Sequence, residues 1–153
     1  MKNIIMILFF GLAIVQANAQ DSAKQSIKNL IDAKYYVFEP TTITTAKGKL
    51  IQLDPGYALQ LKGDTLISYL PYFGRAYNAP INSSDAGFDF TSTQFTYSVS
   101  AGKKESYIVT IKTKDKTYNA DFSLTVYDDG TAYLRANSSD KQPCSYRGNI
   151  REK

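Results

Sequence analysis

From Tyr118 to Val126 the chain alternates without a break. Tyr118, Ala120, Phe122, Leu124 and Val126 fall on one face, and Asn119, Asp121, Ser123 and Thr125 on the other. A repeat of two is the period of a β-strand, so this stretch predicts a ribbon with one dry and one wet face. Asp128-Asp129-Gly130 is a turn sequence, and Thr131–Ala136 resumes the pattern beyond it. Residues 117–136 therefore read as a β-hairpin, with Tyr118, Phe122, Leu124 and Val126 turned into a core.

The rest of the chain repeats that grammar. Asp54-Pro55-Gly56, Lys62-Gly63-Asp64 and Ala101-Gly102-Lys103 are further turn sequences, at the spacing of about 8–12 residues that short antiparallel strands produce. Twelve tyrosines with Thr-, Val- and Ile-rich segments suit a pleated, half-buried surface better than a helical bundle. Lys112, Lys114 and Lys116 share a face ahead of the hairpin, where lysines discourage edge-to-edge pairing. One short helix is expected over residues 23–33, capped by Asp21 or Ser22, with Ile27, Leu30 and Ile31 as its narrow apolar face. Tyr35-Tyr36-Val37-Phe38 then switches to strand residues. The expected fold is all-β and mainly antiparallel, with seven to nine strands in a barrel or strongly curved sheet and one short N-terminal helix.

Ahead of this body lies a different kind of segment. Lys2 leads into the apolar run Ile4–Val15, and Ala17-Asn18-Ala19 closes it. A positive start, a short apolar centre and an Ala-x-Ala exit make up a cleavable secretory signal. The run falls short of the roughly 18–20 residues a membrane span needs. Residues 1–19 are thus expected to be removed, leaving residues 20–153 as a single β-rich domain outside the cytoplasm, periplasmic or extracellular, with no transmembrane span.

Several function classes fall away on composition. The chain has no histidine, which excludes a Ser-His-Asp triad, a Cys-His pair and a histidine-based zinc site. No glycine-rich phosphate loop occurs. The net charge of +4, or +3 without Lys2, is spread along the chain, so there is no electrostatic footprint for nucleic acid. Cys144 is the sole cysteine and cannot form an internal disulfide; it reads as a small buried strand residue, with a reactive thiol as the lesser alternative. Asp85 and Asp89 form a loose carboxylate pair whose spacing fits solvated positions far better than glycoside hydrolysis. Asp128-Asp129-Gly130 lacks the oxygen ladder of a calcium loop. Asn82-Ser83-Ser84 and Asn137-Ser138-Ser139 match the glycosylation pattern, which carries little weight behind a bacterial-looking signal. No catalytic residue, metal ligand or cofactor is expected.

Tyr69–Pro80 breaks the alternation. Pro71 cannot donate to a sheet ladder, so the strand starting near Asp64 should end or reach an edge there. Tyr72, Phe73 and Tyr77 around Arg75 could form a stacking surface for a sugar or other planar ligand, Arg75 supplying planar donors. The architectural alternative is that these aromatics plug the end of the β-structure, and the sequence favours it. Tyr146 and Arg147 would join this group if the closing strand returned beside it.

The stretch Leu70-Pro71-Tyr72-Phe73-Gly74-Arg75-Ala76-Tyr77, with the late Cys144-Ser145-Tyr146-Arg147-Gly148, resembles an uncharacterised domain-of-unknown-function family of small exported bacterial proteins. The resemblance spans essentially all of the mature chain. It implies an envelope location and a meandering lipocalin-like barrel, and it supplies no activity and no catalytic residue. Two functional readings follow. One is a non-catalytic envelope binding module with a small or hydrophobic ligand held in an aromatic-lined cavity. The other is a structural or interaction domain with a filled barrel and an envelope protein as partner. A hollow interior supports the first, a packed interior the second.

Overall fold

The computed structural model describes residues 24–74, 87–114 and 119–153. A helix, α1, spans residues 24–33. Ten strands follow: β1 (Tyr35–Thr44), β2 (Leu50–Gln52), β3 (Ala58–Lys62), β4 (Thr65–Leu70), β5 (Phe88–Ser92), β6 (Phe95–Ala101), β7 (Tyr107–Thr113), β8 (Ala120–Val126), β9 (Thr131–Ser138) and β10 (Cys144–Arg151). Nine of them run in the order β5-β4-β3-β1-β10-β9-β8-β7-β6, while three-residue β2 pairs with β1 off that path. This appendage accounts for the strand beyond the expected seven to nine. All pairings are antiparallel.

The sheet curls into a nearly closed barrel with one seam. Its two edge strands, β5 and β6, are joined by Thr93 and Gln94 alone yet do not pair. The first and last strands pair instead, from Val37↔Arg151 to Thr44↔Ser145.

The predicted hairpin is β8–β9. Ala120, Phe122, Leu124 and Val126 point inward as the alternation requires, while Tyr118 lies outside the described residues. Gly130 sits at φ +83° in its turn, a conformation that favours glycine. β4 stops at Leu70, directly before Pro71. Lys112 does not mark an edge. β7 lies between β6 and β8, and Lys112 forms an ion pair with Asp121 of β8 at 3.5 Å. The alternation of charge there serves a cross-strand pair; β6, the real edge, carries no lysine. Lys116 lies outside the described residues.

Helix α1 covers one end of the barrel. Ile27 and Ile31 are buried, the Tyr97 hydroxyl of β6 donates to the Ile31 carbonyl at 2.9 Å, and Lys24 pairs with Glu105 at 3.1 Å. Lys34, at φ 52°, turns the chain out of the helix, and its carbonyl accepts the Gly63 N–H at 2.8 Å.

Side chains from both halves of the sheet fill the interior. Phe122 lies 5.6 Å from Phe88, edge-on, and 6.2 Å from Phe90, stacked. Tyr36, Tyr146, Phe38, Ile43 and Leu124 are among the fully buried residues around them. Among the described residues these buried side chains meet across the interior and fill it.

Candidate functional site

A break in the β1–β10 ladder shapes the outer surface. Pro40 lies inside β1 without an N–H to donate. The register slips beside it, from Pro40↔Gly148 to Thr42↔Arg147, leaving Thr41 as an extra residue. The Thr41 hydroxyl donates to the Arg147 carbonyl at 3.1 Å, supplying a cross-strand bond within the bulge. Its carbonyl accepts the Leu53 N–H at 2.9 Å. Gly148 makes the corner possible: a Cβ there would lie 1.9 Å from the Glu39 carbonyl oxygen. Beyond the bulge β1 gives up β3, its neighbour through Phe38, for β2, which pairs with Thr42–Thr44.

The result is an open groove of about 480 Å³ on the outer face, lined from β1, β2, β9 and β10. That size falls within the usual range for small-molecule sites. Register places Thr125, Tyr133, Arg147, Thr42 and Gln52 in one row across five strands. The Arg147 guanidinium lies 5.6 Å from the centre of the Tyr133 ring, and Tyr127 meets the same ring edge-on at 6.0 Å. Tyr133 remains 42% exposed and Leu50, on the groove wall, 65%. Among the described residues Arg147 makes no ion pair.

The residues expected to bind divide between two places. The Tyr146 hydroxyl is buried and donates to the Pro71 carbonyl at 2.7 Å. The half-buried Tyr72 accepts the Gln142 N–H through its hydroxyl at 2.9 Å and packs edge-on against Phe88. Together they tie the chain after β4 to the β9–β10 connection, so the closing strand does return beside this segment. Phe73 is exposed. Arg147, next along β10, points to the opposite face of the sheet and into the groove. Arg75 and Tyr77 lie outside the described residues. Sequence reasoning missed Tyr133, Thr42, Gln52 and Asn149; their signal was an outward alternation, legible only once the β1–β10 pairing is known.

Cys144 is buried, its Sγ 3.4 Å from the Tyr146 hydroxyl. Burial pushes its thiol up, and the Tyr146 contact only partly offsets this, which keeps it protonated and unreactive at neutral pH. Asp89 is exposed, and Asp85 lies outside the described residues. No group of acidic or cysteine side chains able to hold a metal occurs among the described residues. No helix among them is long and apolar enough to cross a membrane.

Burial raises three phenols. Tyr36 and Tyr146 stand well above the ordinary tyrosine value, and Tyr97 is pushed up to about 12, burial outweighing the lowering contact with Tyr36. A group that holds its proton more tightly when folded stabilises the fold fully below its unfolded pKa, here 10.0, and loses that contribution as pH rises through the folded value. Stability should therefore be level up to about pH 10 and fall steeply towards 12. Phenolate absorbance and loss of β-sheet circular dichroism should rise together. Full ionisation of all tyrosines with an intact sheet would contradict the burial.

No curated protein matches the chain. The solved structure of a DUF4251 family protein from Bacteroides eggerthii DSM 20697 has a similar fold, with a TM-score of 0.63 at 12% identity over 86% of this chain and 88% of that one. The family model for a domain of unknown function, DUF4251, matches residues 18–150. With its helix, barrel and corner in place, the chain belongs to the DUF4251 family.

Proposed function

We propose that this protein is a non-catalytic binding module of the bacterial envelope, and that it binds on the outer groove rather than inside the barrel. The packed interior carries this reading, because Phe122 and its aromatic neighbours occupy the volume that a hollow barrel would offer a ligand. The groove supplies what the interior lacks: an open volume, a partly exposed tyrosine and an arginine without a carboxylate partner among the described residues. Arg147 is the member of the expected binding set that serves this role, while Tyr72 and Tyr146 hold the barrel end closed. The filled barrel equally favours a second reading, in which the same face meets an envelope protein.

Amide shift mapping with a mixed library of polar and apolar small molecules tests the proposal. Shifts should cluster at Thr42, Tyr133 and Arg147. Shifts centred on Phe122 and Leu134 would return the site to the interior, and no small-molecule response at all would favour the protein partner. Export rests on Lys2, the Ile4–Val15 run and Ala17-Asn18-Ala19. Mass spectrometry of the protein from an envelope fraction should find Gln20 at or next to the N-terminus; an intact Met1 would remove the assignment.

A further inference from the structure

We infer that the groove takes a carboxylated sugar, Arg147 holding the carboxylate while neighbouring hydroxyl and amide side chains hold the ring hydroxyls. The inference rests on the outer groove being the binding site. Its first support is charge. Among the described residues no Asp or Glu lines the groove, and Arg147 is the only charged lining residue. Glu39, on adjoining β1, is already engaged by Arg151 through two bonds of 3.0 and 2.6 Å. Arg135 is exposed on the same face of β9 and pairs in register with Ser145, one step from the Tyr133↔Arg147 pair. Arg135 and Arg147 are thus diagonal neighbours, a relation that puts side chains about 7–8 Å apart on a sheet. Neither makes an ion pair among the described residues. Arg135 is not among the lining residues, so its charge adds to the positive field around Arg147 without reaching into the groove.

The second support is what surrounds that charge. Thr42, Thr44, Gln52, Thr131, Ser145 and Asn149 line the groove and offer both donors and acceptors, as a polyhydroxylated ring requires. The exposed part of Tyr133 and the side chain of Leu50 supply apolar surface for the C–H face of such a ring. A guanidinium fork fits carboxylate and phosphate alike. One arginine among neutral hydroxyls and amides, without a second lining cation, matches a singly charged carboxylate better than a dianion.

Titration calorimetry and amide shift mapping on the mature chain, with trigalacturonate, D-glucuronate, maltotriose and inorganic phosphate, test this. The uronate ligands should bind at least about tenfold more tightly than maltotriose, and raising salt should weaken them. Monomer and trimer distinguish a free sugar acid from a residue within a polymer. Arg147→Ala should abolish uronate binding without moving the thermal midpoint, since the side chain is exposed, and Arg147→Lys should restore part of it. If maltotriose binds as well as the uronates, or phosphate binds better, the carboxylated sugar is wrong while the groove stands. If no probe shifts groove amides, both the sugar and the groove reading fall.

Discussion

Gly148→Ala is expected to destabilise the fold by about 3 kcal/mol or more, the upper end of what an added methyl costs in a closely packed site. The clash is with backbone, not with a movable side chain. The new Cβ would sit 1.9 Å from the Glu39 carbonyl oxygen and 2.7 Å from Pro40 Cα. Relief requires β1 and β10 to separate where the barrel is sewn shut, or the Thr41 bulge to be rebuilt. Thr41→Val provides the contrast, since it removes only the side-chain bond to the Arg147 carbonyl and should cost about 1 kcal/mol. Chemical denaturation of the two variants checks the pair. A Gly148→Ala midpoint equal to that of the parent would mean that the strands do not approach as described.

Phe122→Ala should cost about 3–5 kcal/mol, as for other large aromatic truncations in full cores. Phe122 is 1% exposed and touches Phe88 and Phe90 of β5, which lie on the far arm of the sheet from β8. Its ring therefore spans the interior and joins strands that share no backbone hydrogen bonds. The measurement also bears on function. A hollow barrel would accept the truncation at under about 1.5 kcal/mol, as sites with room to adapt do. A small loss, accompanied by new affinity for apolar compounds, would reopen the interior as a ligand chamber.

Local periodicity was enough to locate β8, β9, their turn and the end of β4, because each depends on residues within a few positions of one another. The helix face of Ile27 and Ile31 was equally visible. The corner at Pro40 and Gly148 was not. Proline within a strand argues for an edge, and only the pairing with a segment more than a hundred residues away shows β1 to be central, its missing donor set against a glycine. The same distance hid the groove. Thr42, Tyr133, Arg147 and Gln52 come from four strands, and no spacing along the chain announces that they form one row. Lys112 of β7 misled for a related reason: a charged face protects an edge or pairs across strands, and Asp121 opposite Lys112 decides between them.

The pairing of β1 with β10 also sets the order in which the molecule can be made. Glu39 and Arg151, bonded across that joint, stand 112 residues apart, so this contact can form only after all of the chain between them has been made. Until β10 has been synthesised, β1 lacks its longest neighbour and β9 presents an open edge. The chain cannot lock into its barrel as it leaves the ribosome, and closure must bear the entropy of a very long loop before any return. The two arms of the sheet thus stay unjoined until β10 has been made, which places the joining of β1 to β10 late in folding.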